Sequence, residues 1–269
     1  MIEVHDLKKS FQDTDVLKGI SVAFERGKTN LIIGQSGSGK TVFLKCLLGL
    51  IEPSSGEIFY EGVNSRDMDF NRRKTLRAKI GTVFQGNALF DSMTVSENIS
   101  FPLMMFTSQS EHEMKDKVDQ VLERVRLEGV HHKYPSELSG GMQKRVAIAR
   151  AIVNNPKFLF CDEPNSGLDP KTAIVIDNLI HELTLEYNTT TIINTHDMNS
   201  VMEIGEKIIF LKDGFKGWEG NAIEILKTEN QMVVDFIYSS NLFQRIRRSL
   251  LNDEFRLINI YPPPNHIIL

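Results

Sequence analysis

The sequence predicts an α/β fold organised around a parallel sheet. The run Phe158-Leu159-Phe160-Cys161 has no polar alternation, which suits a parallel strand covered by helices on both faces. A β-branched run from Thr189 to Ile193 leads into Asn194-Thr195-His196 as another strand. Between the strand-like Asn30–Ile33 and a helical pattern lies a Gly-rich segment, giving the order strand, loop, helix. Sheets of this kind collect their ligands at the carboxyl ends of the strands.

Taken in chain order, Ile2–Leu7 and Ile20–Phe24 read as short strands. Phe43, Leu44, Leu47, Leu48 and Ile51 form the apolar stripe of a helix, with Pro53 and Gly56 as its stop. Met114, Val118, Val121, Leu122 and Val125 repeat at helical spacing; Ser110 with Glu113 makes a capping-box pattern at the start and Gly129 marks the end. A third helical pattern runs from Ser139 toward Asn154. The stretch from about 88 to 155 thus reads as an all-helical insertion. Residues 1–240 are expected to form one domain. The tail, 241–269, with Arg245, Arg247, Arg248 and Pro262-Pro263-Pro264, does not resemble a core element.

Composition narrows the function classes. With 269 residues, 41% hydrophobic and 25% charged, the chain has the make-up of a soluble globular protein. Its 31 basic and 35 acidic residues leave a net charge of −4, so no global basic excess points to nucleic acid. The local run Arg72-Arg73-Lys74, with Arg77 and Lys79, reads as a solvated helix face. No stretch approaches the roughly 18 apolar residues of a membrane span, and the acidic start at Glu3 and Asp6 lacks a secretory pattern. Cys46 and Cys161 lie in apolar contexts without metal-ligand spacing, as buried reduced thiols of a cytoplasmic protein would.

Gly34-Gln35-Ser36-Gly37-Ser38-Gly39-Lys40-Thr41 fits a phosphate-binding loop. Its glycines let backbone N–H groups turn inward around phosphate, and the helix starting near Gly39 adds its positive end. Lys40 would neutralise β- and γ-phosphates, and Thr41 would offer a hydroxyl to Mg²⁺. Asp162 and Glu163 follow directly on the buried strand. There Asp162 suits Mg²⁺ held through water, and Glu163 suits a general base that polarises attacking water. A second anion site is indicated by Ser139, Gly140 and Gly141 at a helix start, where an ordinary helix cap is the other reading. Two phosphate-seeking helix starts in one chain make sense if two copies face each other.

These residues resemble the ATP-binding-cassette (ABC) ATPases over about residues 1–235. In that family Gly34–Thr41 corresponds to the Walker A loop, Phe158–Glu163 to Walker B, Leu138–Met142 to the signature and Ser166-Gly167-Leu168-Asp169 to the D-loop. Gln85 looks like the Q-loop glutamine, expected to act in catalysis and to touch Mg²⁺, and His196 like the switch histidine. The resemblance implies an α/β fold: a P-loop NTPase core with parallel sheet, an amino-terminal antiparallel β subdomain and an inserted all-helical subdomain. It also implies ATP and Mg²⁺ as cofactors and a homodimer sandwiching two ATPs, with Ser139 and Gly141 of one chain reaching the nucleotide of the other and Asp169 close by. Phe11 reads either as a core residue or as the aromatic that stacks on adenine. The signature departs from the family at Met142, where Gln is usual.

The segment Gln85 to Ile99, with Phe90-Asp91-Ser92-Met93-Thr94-Val95, and the Met-ended signature resemble the cytoplasmic ATPase of Mla-type phospholipid transporters. That implies an integral membrane permease partner and a peripheral place on the cytoplasmic face of the inner membrane. Phe90, Met93, Phe101, Leu103, Met104 and Met105 would offer the permease an adaptable apolar surface, or would pack the helical insertion. The tail, through Phe243, Phe255 and Ile258, would stabilise the dimer. The alternatives are another ABC importer or exporter, or a soluble cassette protein. Against the soluble ones, a translation factor has two cassettes in tandem and a DNA-repair cassette a long coiled coil, whereas Lys40 and Ser139 are only 99 positions apart.

Overall fold

The computed structural model of this chain describes residues 1–238. The described residues fall into two units, Met1–Ala222 and a second that begins at Ile223. The expectations for 241–269 lie outside the described residues.

The first unit opens with β1 (Ile2–Phe11) and β2 (Thr14–Phe24), paired antiparallel from Ile2↔Phe24 to Phe11↔Thr14. Both run longer than their apolar cores suggest, through paired ends, 8–11 and 14–16, in which no residue is buried. After β3 (Thr29–Ile33) comes α1 (Lys40–Leu47). The helix stops earlier than the apolar stripe predicts. Gly49 takes φ 67°, its N–H reaches the Cys46 carbonyl at 3.0 Å, and Leu50 N–H reaches Lys45 at 2.9 Å. This pair of bonds satisfies orphan carbonyls at the helix end and needs the left-handed backbone that glycine adopts without strain. Leu48 and Ile51 still pack on the core from beyond the helix.

Gly56, expected to help stop that helix, instead lies in β4 (Ser55–Tyr60), which pairs antiparallel with β1. With β5 (Val63–Asn64) it completes a sheet of order β2-β1-β4-β5, the expected antiparallel subdomain. The basic run falls on α2 (Phe70–Ala78), none of whose residues is buried. The short β6 (Ile80–Val83) follows.

Three helices make the insertion. In α3 (Val95–Phe106), Thr94 and Glu97 form a capping box. In α4 (Glu111–Arg124), Ser110 and Glu113 form the capping box read from the sequence. That helix ends at Arg126, φ 57°, rather than at Gly129, with Leu127 N–H on the Leu122 carbonyl at 2.9 Å. The third is α5 (Gly140–Ile152), capped by Ser139. Leu103, expected on a docking surface, is fully buried, while Met104 and Met105 are 63% and 55% exposed. Phe90 packs on Phe101 with ring centroids 4.9 Å apart.

The chain returns through β7 (Phe158–Asp162), α6 (Pro170–Tyr187), β8 (Thr190–Asn194), α7 (Met198–Ile204), β9 (Lys207–Lys212) and β10 (Phe215–Gly220). The main sheet has the order β10-β9-β3-β8-β7-β6 and is parallel except at β10. Every residue of β3, β7 and β8 is buried, as strands covered on both faces must be. The buried Thr191 of β8 is satisfied from outside its strand: Thr184 of α6 donates to Thr191 Oγ1 at 2.7 Å, and the Thr189 and Thr191 hydroxyls lie 3.0 Å apart. Between the two sheets α1 buries Phe43 against Phe24, centroids 6.1 Å apart. Truncating Phe43 to alanine would cost about 3–5 kcal/mol.

Cys46 and Cys161 are both free and buried, and burial pushes their thiols up to about 11 and about 12. Among the described residues no helix is long and apolar enough to cross a membrane. The second unit contributes α8 (Ala222–Lys227) and α9 (Gln231–Ile237), tied together by the Tyr238 hydroxyl donating to the Leu226 carbonyl at 3.0 Å.

Candidate active site

The loop between β3 and α1 is built so that only glycine fits at its first position. A Cβ on Gly34, whose φ is 148°, would lie 2.2 Å from the Leu211 carbonyl and 2.9 Å from Ser38 Oγ. Lys40, at the first turn of α1, folds its ammonium back over the loop and donates to the carbonyls of Gly34 at 2.8 Å and Gln35 at 3.1 Å. Burial lowers its pKa, with Glu163 and Asp162 acting in opposition. Ser38 Oγ is buried with no partner among the described residues, whereas Ser36, Gly37 and Thr41 face solvent. The loop thus presents an inward hydroxyl, a cation and the start of an eight-residue helix to one place.

The carboxylates at the end of β7 are held by its neighbour β8. Asp162 pairs in register with Asn194, whose side-chain amide donates to Asp162 Oδ1 at 3.0 Å. Glu163 takes φ 47°, a left-handed conformation that L-residues other than Asn and Asp seldom adopt, and donates its N–H to the Asn194 carbonyl at 2.9 Å. Strain of this kind persists only where surroundings impose it and is concentrated at functional sites. Its carboxylate is gripped from both sides. Gln85 Nε2 donates to Oε2 at 3.0 Å and His196 Nδ1 lies 3.0 Å from Oε1. Gln85 Nε2 also reaches Ser166 Oγ at 3.3 Å. The four side chains Gln85, Glu163, Ser166 and His196, far apart in sequence, form one cluster.

The other expected site residues stand apart from it. Ser139 Oγ accepts the Met142 N–H at 3.3 Å, so it caps α5, and Gly140 and Gly141 follow in the first turn. Asp169 caps α6 through the Thr172 N–H at 3.1 Å and hydroxyl at 2.5 Å, which lower its pKa. No hydrogen bond joins Ser139, Gly140, Gly141, Asp169 or Phe11 to the Lys40–Glu163 region among the described residues. Phe11, at the end of β1, is 42% exposed with Lys9 Nζ 4.8 Å from its ring centre, so it is no core residue. Gln143, beside Met142, turns inward and donates to the carbonyls of Pro135 and Leu138 at 2.9 and 3.2 Å. Asn194 is the residue that sequence reasoning passed over. A polar side chain closing a buried β-branched strand was its signal.

The oxygen donors fit Mg²⁺. Asp162 keeps one carboxylate oxygen beyond its bond to Asn194, Thr41 has an exposed hydroxyl, and Gln85 turns its nitrogen to Glu163 and so leaves its carbonyl oxygen for a cation. Mg²⁺ takes such hard ligands one or two at a time and completes its shell with water and phosphate. Among the described residues no group of three or more His, Cys, Asp or Glu side chains is placed to hold a metal ion.

Comparison with known proteins agrees with the fold and the loop. The profile of the ABC transporter family matches residues 17–166. The chain belongs to the ABC transporter family and carries its ATP-binding cassette. It is 38% identical over 198 residues to the probable ribonucleotide transport ATP-binding protein mkl of Mycobacterium tuberculosis, covering 74% of this chain and 55% of that one. It thus spans about half the length of these mycobacterial relatives. It is also 34% identical over 256 residues to the chloroplastic protein TRIGALACTOSYLDIACYLGLYCEROL 3 of Arabidopsis thaliana, covering 89% and 74% of the two chains. Among solved structures, a dimeric post-hydrolysis state of the cassette MJ0796 bound to ADP and Pi superposes with a TM-score of 0.76 at 33% identity, covering 82% of this chain and 99% of that one. The cbiO1 subunit of the cbiONQ transporter from Clostridium perfringens gives 0.78 at 33% identity, over 93% and 98%.

Proposed function

We propose that this chain is the ATP-hydrolysing subunit of a membrane transporter, working as a head-to-tail homodimer on the cytoplasmic face of the inner membrane. Glu163 carries the reading: an acidic side chain on strained left-handed backbone, gripped by Gln85 and His196 at 3.0 Å each, beside the cation of Lys40. The Gly34–Thr41 loop holds the phosphates, with Ser38 and Lys40 turned inward and Phe11 offered to adenine. Asp162, Thr41 and Gln85 would hold Mg²⁺, which would supply charge neutralisation for the phosphates. Glu163 accepts a proton from the water whose oxygen attacks the γ-phosphorus, and the bond to the bridging oxygen breaks to leave ADP and phosphate. His196 keeps Glu163 oriented and, with Lys40, stabilises the charge that develops on the transferred group. Ser139, Gly140 and Gly141 complete the site of the partner copy, with Asp169 bordering the same junction.

The membrane partner is an integral permease, received in an apolar groove lined by Phe84, Phe90, Phe101, Pro102 and Phe106 next to the exposed Met104 and Met105. The cargo is phospholipid moved between membranes. The segment Phe90–Val95 and Met142 support this by their resemblance to Mla-type ATPases, and the plant relative has a glycolipid in its name. Glu163→Gln should bind ATP, trap a closed dimer and lose 10²-fold or more in hydrolysis. Near wild-type turnover would remove Glu163 from the base role. A co-purified permease that carries phospholipid is the expected companion; one that carries an amino acid or nucleotide would overturn the lipid assignment.

A further inference from the structure

Two residues beyond Gln85 the backbone adopts a conformation that L-residues avoid twice in succession. Asn87 and Ala88 have φ 61° and 50°. The Ala88 N–H closes on the Gly86 carbonyl at 2.7 Å, a three-residue turn centred on Asn87, and the Asn87 N–H reaches the Phe84 carbonyl at 3.0 Å. Turns of this hand are rare and strained, because Cβ is driven toward the following carbonyl. Alanine offers no polar side chain to offset that cost, so the conformation has to be imposed from outside.

The imposing group lies on α5. Arg150 donates through Nη2 to the Asn87 carbonyl at 2.9 Å and through Nη1 to the Ala88 carbonyl at 2.8 Å. Its Nη1 also lies 3.5 Å from Asn98 Oδ1, and the guanidinium sits 5.8 Å from the Phe90 ring centre. Just under two turns earlier on the same helix, the buried Lys144 donates to the carbonyls of Phe84 at 3.5 Å and Gln85 at 3.3 Å. No carboxylate pairs with Arg150 among the described residues, and burial lowers its pKa. A desolvated guanidinium without a counter-ion depends on those carbonyls as much as they depend on it.

We propose that Arg150 is a positioning residue, whose forked donation holds the Asn87–Ala88 turn left-handed and thereby sets the backbone from which Gln85 meets Glu163. The proposal rests on the role given above to Gln85. Lysine is a poor replacement: its ammonium can bond two carbonyls, as Lys40 and Lys144 do, but from one nitrogen, without the fixed spacing of the two Nη atoms that meet the Asn87 and Ala88 carbonyls at 2.9 and 2.8 Å.

The test is steady-state ATP hydrolysis by the full chain as Arg150→Lys, Ala88→Gly, their double variant and Gln85→Ala, each with a thermal melt. Arg150→Lys should lower kcat about tenfold and leave KM for ATP within about twofold, since the Gly34–Thr41 loop is untouched. Ala88→Gly alone should stay within about twofold of wild type. Added to Arg150→Lys it should restore kcat to within about threefold, because glycine takes left-handed backbone without the fork. Wild-type kcat in Arg150→Lys beside an impaired Gln85→Ala overturns the proposal alone. An impaired or unstable Arg150→Lys that Ala88→Gly does not restore assigns Arg150 to packing and also overturns it. A fully active Gln85→Ala removes the role of Gln85 itself, and the proposal with it.

Discussion

Asn194 donates its side-chain amide to Asp162 Oδ1 at 3.0 Å, from the paired position on the neighbouring strand, while its backbone carbonyl accepts the Glu163 N–H at 2.9 Å. One residue therefore orients the Asp162 carboxylate and anchors the backbone of Glu163 at the proposed hydrolytic site. Removing a partner that orients a metal ligand typically lowers metal affinity 10–100-fold. Asn194→Ala should accordingly raise the Mg²⁺ concentration for half-maximal hydrolysis about tenfold, read from Mg²⁺ titrations at saturating ATP. An unshifted midpoint would separate Asp162 from Mg²⁺ binding.

The partner-completed site can be tested by mixing defects. Ser139→Arg places a bulky cation at the capped start of α5, and Lys40→Ala removes the cation of the phosphate loop. Each alone should abolish most hydrolysis. In an equimolar mixture a heterodimer has one intact composite site, so activity should return to roughly a quarter of wild type if the chains pair at random. A mixture no more active than its components would count against composite sites.

Asp177 supplies a pH signature. It is 3% exposed on α6, its Oδ1 has no hydrogen-bond partner among the described residues, and burial raises its pKa from 3.8 to about 6; hydrogen bonds from Ser200 and Asn165 oppose the rise, and Asp197 and Glu203 add to it. With a raised carboxyl pKa the folded chain holds more protons than the unfolded one between those two values. Stability therefore falls as pH rises through that window and stays lower above it, by about 3 kcal/mol at pH 7. Asp177→Asn should gain stability relative to wild type, more at pH 8 than at pH 5, in urea unfolding at the two pH values. An equal gain at both would show that the carboxyl charge is not the cause.

At the end of α1, Gly49 has open space around its missing Cβ and φ 67°. The left-handed backbone is thus the whole requirement. Gly49→Ala should destabilise by about 1 kcal/mol and Gly49→Asn by less, because asparagine tolerates that region. Equal losses in denaturant midpoint would point to a contact instead.

The same helix end marks where sequence reading reached its limit. Unbroken apolar or β-branched runs made β7 and β8 legible, and the Ser110–Glu113 capping box is local chemistry that sequence carries whole. Gly49 was outweighed by the more conspicuous Pro53, and Arg126 hides a left-handed helix end in a residue type that gives no such signal. Strand β4 was missed because its pairing with β1 is long-range and begins at a glycine. In the proposed site, the Gly34–Thr41 loop, the Asp162-Glu163 pair and the Ser139–Gly141 helix start offer contiguous patterns that a sequence can display. Arg150 and Asn194 do not, since their partners lie 62 and 32 positions away.

The two carbonyl bonds that Lys40 makes within its own loop tie its ammonium to the backbone of Gly34 and Gln35. In the phosphate-binding role proposed for this loop, an anion reaching Lys40 would exchange for those bonds rather than simply add to a free charge. A lone phosphate brings one cluster of oxygens to that exchange, whereas a nucleoside triphosphate brings three in a row and an aromatic base besides. On that role the loop would favour the longer ligand before any base is read.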